Sequence, residues 1–137
     1  MPAMPDDLLL NKGVIIRRCM ARVREEYGDD PARLANPTRQ DSMVLNVQRA
    51  CEAAIDLAMH QVARRRLGVP QTSREAFVLL ERAGILTPET GRRMRAMVGF
   101  RNVAVHAYQE LQLPMLRSVI EEHLADFETF LRELEHD

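Results

Sequence analysis

The chain has 137 residues, 46% of them hydrophobic but only 4% aromatic and none tryptophan. That length fits one domain, residues 1–137, with a core built from Leu, Val, Ile, Ala and Met, a mixture that suits packed helices better than a β-sandwich. A net charge of −1 excludes a generic polyanion-coating protein, and no apolar run approaches a membrane span.

Turn and capping residues divide the chain into about five helices. The first is expected from about Asp7 to Tyr27, capped by Asp6 and closed by Gly28-Asp29-Asp30-Pro31. Its Leu8–Leu10 run follows two aspartates rather than basic residues, so it is not read as a signal peptide, and a cytoplasmic protein is expected. The second is long, about Thr38 to Leu67, with Val44, Val47, Cys51, Ala54, Ala58 and Val62 recurring at three- and four-residue steps. Met43, Ile55, Leu57 and Met59 widen that face, so the helix is expected to be covered on more than one side. Cys19 and Cys51 fall inside apolar patterns with no metal-ligand spacing, and read as reduced core residues rather than a disulfide.

The third helix opens with the capping box Thr72-Ser73-Arg74-Glu75 and carries Phe77, Val78, Leu79 and Leu80, with Glu81 and Arg82 on its solvated side. Thr87-Pro88 starts the fourth, expected to run towards Tyr108 with room for a bend at Gly99. Pro114 starts the fifth, on which Leu116, Val119, Ile120, Leu124, Phe127, Leu131 and Leu134 form an apolar stripe. Its acidic residues Glu121, Glu122, Asp126 and Glu128 read as a solvated face. The fold class is therefore all-α, an antiparallel bundle of four to five helices.

Arg101, Asn102, His106 and Tyr108 lie within eight residues at the end of the fourth helix. If that helix continues, Arg101 and Tyr108 share a face, Asn102 and His106 are neighbours, and one helix edge presents all four groups. An imidazole exchanges a proton near neutral pH, a guanidinium holds a phosphate, and Asn102 can orient the imidazole. This chemistry suits RNA cleavage by attack of the 2′-hydroxyl on the adjacent phosphate, which needs an acid, a base and a cation but no metal or other cofactor. From chemistry alone the alternative is structural: a helix histidine satisfied by a carbonyl, an ion-pairing arginine, and a tyrosine capping the core with its hydroxyl in water.

Elsewhere, Asp56 and His60 have the four-residue spacing of a metal or acid–base pair, but no third ligand has matching spacing, which favours an interhelical hydrogen bond. From His60 to Gln109 nine arginines stand against three acidic residues, whereas from Glu110 to Asp137 two stand against eight. Lys12 is the only lysine, so positive charge is almost wholly guanidinium, although a GC-rich coding sequence produces the same bias. Arg64, Arg65, Arg92 and Arg95 are candidates for steering RNA, against the plainer reading of solvated helix ends.

Arg101-Asn102-x-x-x-His106-x-Tyr108 resembles the RNxxxHxY motif of the HEPN superfamily, in particular its HepT-type toxins. The run from Asp41 through Gln48, Arg49, Ala50, Cys51, Glu52 and Asp56 to His60 is similar to the long second helix of that family, and the stretch from Thr72 to Leu86 resembles it too. The resemblance covers most of the chain and implies a homodimeric bundle with two copies of Arg101 and His106 facing one cleft. It implies a metal-independent endoribonuclease toxin acting on RNA, tRNA among the candidate targets. It also implies neutralisation by an MNT-type nucleotidyltransferase antitoxin that adenylylates the motif tyrosine, here Tyr108. The alternative within the same family is a non-catalytic helical subunit that binds nucleotide, RNA or a nucleotidyltransferase.

Overall fold

The computed structural model describes residues 6–136. The first helix, α1 (Asp7–Tyr27), starts where the Asp6 carboxylate accepts the Leu9 amide proton. It ends at Gly28, whose N–H donates to the Arg24 carbonyl at 2.8 Å. With φ at 56°, Gly28 occupies the left-handed region that glycine alone enters without steric cost. A short 3-10 turn, Pro31–Ala35, leads into α2 (Pro37–Arg64). There Asn36 is the cap, accepting from the Arg39 amide, and Pro37 takes the first helical position. The helix thus starts one residue before Thr38, because Asn36 and Pro37 together make a stronger start signal than Thr38 alone.

The next helix, α3 (Ser73–Arg82), begins as its capping residues dictate, with Thr72 Oγ1 accepting from the Glu75 amide at 3.1 Å. Thr87 caps α4 (Pro88–His106) in the same way, accepting from the Thr90 amide. A 3-10 turn, Tyr108–Glu110, follows. The last helix is interrupted: α5 (Leu113–Ser118) and α6 (Leu124–Glu135) flank a π-helical turn, Val119–His123. No strand occurs among the described residues.

α2 lies at the centre, with α1, α3 and α4 packed around it. Every member of its stripe, from Val44 to Val62, is buried, and so are Met43, Ala50, Ala53, Ile55 and Leu57. The small side chains at Ala50, Cys51, Ala53, Ala54 and Ala58 let neighbouring helices approach closely, while Phe77, Phe127 and Phe130 fill the wider spaces. Phe77 of α3 meets Phe130 of α6 edge to face, ring centroids 5.6 Å apart. The α5–α6 stripe from Leu116 to Leu134 is buried throughout.

Several expectations are corrected. Asp126 is not on a solvated face: it is buried at 5% exposure, accepting from Arg93 Nη1 of α4 and held to His123 Nδ1, both at 2.9 Å. The π turn inserts an extra residue just before it, rotating α6 away from the position that a regular extension of α5 would give it. Glu81 is half-buried and paired with Arg95 at 2.7 Å. The interhelical reading of Asp56 and His60, by contrast, holds: Asp56 pairs with Lys12 of α1 at 3.2 Å, and His60 Nε2 lies 3.0 Å from Asp6, the cap of α1. α4 runs through Gly99 as one helix. A Cβ there would stand 3.0 Å from the Arg74 guanidinium. Cys19 and Cys51 are both free and buried, and burial pushes the Cys51 thiol up to about 12. No group of three or more His, Cys, Asp or Glu suited to a metal occurs among the described residues. No helix there is long and apolar enough to cross a membrane.

Asp6 ties the start of α1 to the end of α2. Burial raises its carboxyl pKa, but hydrogen bonds from the Leu9 amide, Gln61 and His60 outweigh this and hold it below the ordinary value. A carboxyl depressed in the folded state contributes stability that is present above its unfolded pKa and is lost as pH falls through the folded one. Asp6→Asn is therefore expected to lower the melting temperature at neutral pH and to leave it nearly unchanged in acid, as calorimetry across a pH series will read. In the core, Phe77→Ala is expected to cost about 3–5 kcal/mol in urea unfolding, because it removes a fully buried ring and leaves a cavity between α3 and α6.

Candidate functional site at the end of α4

α4 stops at His106. Ala107 caps it with φ −145° and ψ 44°, its N–H donating to the Val103 carbonyl. The expectation that the helix reaches Tyr108 and puts Arg101 and Tyr108 on one face is therefore overturned. Tyr108 begins the next 3-10 turn and swings towards α2, where its hydroxyl donates to Asp41 Oδ1 at 2.5 Å. Partial burial and the adjacent Asp41 carboxylate, which both accepts the proton and repels a phenolate, push the Tyr108 hydroxyl up to about 12.

Arg101 points the other way. Its Nη2 is 3.4 Å from Ser73 Oγ at the start of α3, and its charge is felt by Cys51 on α2. Its Nε is buried without a hydrogen-bond partner among the described residues. A guanidinium N–H in that state retains unused donor capacity, which is costly to bury. His106 faces solvent, and neither ring nitrogen has a hydrogen-bond partner among the described residues. The plain alternative of a histidine satisfied by a carbonyl does not apply. Asn102, half-buried one turn earlier, makes no hydrogen bond to His106 among those residues.

Arg101 and His106 are five residues apart, which turns them about 140° from each other around the axis. One chain therefore presents a solvent-facing imidazole and, round the helix, a half-buried guanidinium, with no contact joining them. The other candidate arginines are engaged. Arg64 lies 3.8 Å from Asp6, Arg65 donates to Gln61 at 3.0 Å, Arg92 pairs with Glu89 at 2.7 Å and Arg95 with Glu81. Beside α4, a groove of about 450 Å³ runs along the start of the last helix, floored by Met97, Phe100, Met115 and Val119 and edged by Arg92 and His123.

A family model described as "Ribonuclease HepT-like" matches residues 16–134. The chain belongs to that family. It is 44% identical over 126 residues to the mRNA nuclease HepT of Shewanella oneidensis, covering 92% of this chain and 95% of the relative. It is 30% identical over 88 residues to the tRNA nuclease HepT of Aphanizomenon flos-aquae, covering 64% and 60% respectively. Its backbone superposes with a TM-score of 0.92 on the tri-AMPylated Shewanella oneidensis HEPN toxin in complex with MNT antitoxin. In that superposition 41% of residues are identical, over 97% of this chain and 100% of the other. It matches equally, at a TM-score of 0.92, a toxin–antitoxin structure with AMP-PNP.

Asp41 and Ser73 are the residues that motif reasoning passes over. Asp41 is separated from Tyr108 by 67 positions, so no local periodicity connects them, and only the packing of the post-α4 turn on α2 reveals the pair. Asp41→Asn is expected to bring the Tyr108 pKa down from about 12 part of the way to the ordinary 10.0. Titration of the ultraviolet phenolate band in a Tyr27→Phe background, where Tyr108 is the only tyrosine, reads that change directly.

Proposed function

We propose that this chain is the toxin of a toxin–antitoxin pair, a single-domain, metal-independent endoribonuclease that works as a homodimer. The observation that carries the reading is the intact Arg101-Asn102-x-x-x-His106-x-Tyr108 motif on a backbone matching that of the Shewanella oneidensis toxin along nearly its whole length. A second copy answers the geometric problem that one chain poses. Apolar side chains left in solvent at the end of α4 and the start of α5, Val105, Leu113 and Met115, supply a surface for it. Two copies of α4 end facing one cleft, and each brings an unpaired imidazole and a guanidinium with donor capacity to spare.

In that cleft the substrate's 2′-hydroxyl attacks the adjacent phosphorus. One imidazole takes the hydroxyl proton and the other protonates the departing 5′-oxygen as its bond to phosphorus breaks. Arg101 neutralises the charge that grows on the non-bridging oxygens, and Asn102 lines the same strand-binding surface. No step calls for a metal ion. Arg64, Arg65, Arg92 and Arg95 add long-range attraction for the RNA backbone, their acidic partners notwithstanding.

The partner is an MNT-type nucleotidyltransferase antitoxin, and Tyr108 is the residue it adenylylates. AMP on Tyr108 places a phosphodiester charge and a nucleoside two residues from His106, repelling the RNA backbone and filling the space it needs.

His106→Ala is expected to abolish cleavage of total cellular RNA in the presence of chelator, while gel filtration and circular dichroism stay those of the unchanged protein. Full cleavage by that variant would remove the mechanism. Intact-mass analysis after co-expression with a cognate MNT-type nucleotidyltransferase is expected to show added AMP that disappears in Tyr108→Phe.

A further inference from the structure

The hydroxyl that receives the nucleotide is not free in solvent. It donates to Asp41 Oδ1 at 2.5 Å, across 67 residues of sequence. The two groups come from separate elements: Asp41 from the second turn of α2, Tyr108 from the 3-10 turn after α4. Asp41 itself is solvent-exposed and makes no salt bridge among the described residues. Its one side-chain hydrogen bond there is the one from Tyr108. The bond is short and its acceptor is formally charged, the geometry of a strong charge-assisted O–H···O⁻ contact. At Tyr27, the chain's other tyrosine, the hydroxyl donates to Glu121, but that carboxylate is shared with Arg117 and the ring is buried. Tyr108 thus combines an accessible hydroxyl with a carboxylate that serves no other cation.

We propose that Asp41 is the toxin's own contribution to its modification: it fixes the direction of the Tyr108 hydroxyl and accepts its proton during nucleotidyl transfer. The proposal rests on the reading of Tyr108 as the acceptor. In the step, the phenolic oxygen attacks the α-phosphorus of a nucleoside triphosphate and a new O–P bond forms. The bond to the β-phosphate breaks and pyrophosphate leaves with the electron pair. The phenolic proton passes to Asp41 as the attacking oxygen loses electron density, and from that exposed carboxylate to water.

The step also changes the contact itself. Before transfer the hydroxyl is a donor to Asp41; afterwards the same oxygen has no proton and carries a phosphodiester that Asp41 repels. Tyr108 then leaves α2, and the nucleotide moves off the Asp41 side. A phenol whose pKa is held at about 12 is a poor nucleophile unless its proton has somewhere to go, which agrees with a dedicated acceptor beside it.

The test compares the unchanged protein with Asp41→Asn, Asp41→Glu and Tyr108→Phe, each incubated with a cognate MNT-type nucleotidyltransferase, ATP and magnesium. The amount of AMP added over time is followed by intact mass and its position by peptide mapping. Asn keeps an acceptor oxygen but cannot take a proton, so Asp41→Asn is expected to slow transfer to Tyr108 by about 10²-fold or more with KM for ATP unchanged. Asp41→Glu is expected to recover part of the rate. Circular dichroism and thermal unfolding verify that the variants are folded. Transfer to Tyr108 at the unchanged rate in Asp41→Asn would overturn the role of Asp41 and leave Tyr108 standing as the acceptor. Equal slowing in Asp41→Asn and Asp41→Glu, with a raised KM, would reduce Asp41 to a structural contact and also overturn it. Undiminished modification of Tyr108→Phe would remove both the acceptor and the proposal built on it.

Discussion

Ala107 leaves helical geometry one residue after His106, and the surroundings of the motif depend on that break. Had α4 continued, Tyr108 would project from the helix beside Arg101. With the helix ended, His106 sits in its final turn, exposed to solvent. Tyr108 is carried sideways onto α2. The break thus separates two kinds of chemistry that the motif compresses into eight residues: a titrating group at a helix end, and a hydroxyl held by a carboxylate on another helix.

The body of α4 is constrained as firmly as its end is freed. Cys51 Sγ contacts the Met97 carbonyl at 3.6 Å, Arg74 donates towards the Arg95 carbonyl at 3.4 Å, and Arg93 is clamped to buried Asp126. Met94, Met97, Val98, Phe100 and Ala104 turn inward against the rest of the bundle. A site on a packed helix is held more precisely than one on a loop, and the Arg101 Nε is enclosed there without a hydrogen-bond partner among the described residues.

The distribution of charge also makes sense in three dimensions. The acidic end of the chain does not simply face water: Glu128 holds Arg17 at 3.1 Å and Glu133 accepts from the Thr87 amide at 2.7 Å. Several of the candidate RNA-steering arginines are likewise balanced by carboxylates from their own or neighbouring helices. His106, by contrast, has no carboxylate partner among the described residues.

What the sequence alone determined was everything set by neighbours along the chain. The caps at Asp6, Thr72 and Thr87, the stop at Gly28 and the stripes on α2 and the last helix all depend on residues within a turn or two of one another. The spacing of Arg101, Asn102, His106 and Tyr108 is likewise local, and it carried the family resemblance. The tertiary structure decided the rest, because it depends on groups distant in sequence. It ended α4 at His106, took Tyr108 to Asp41, buried Asp126 against Arg93 through a π turn, and separated Asp56 from His60 by giving each a partner at the start of the chain. Helical periodicity describes which side of a cylinder a residue occupies; only packing determines what stands opposite.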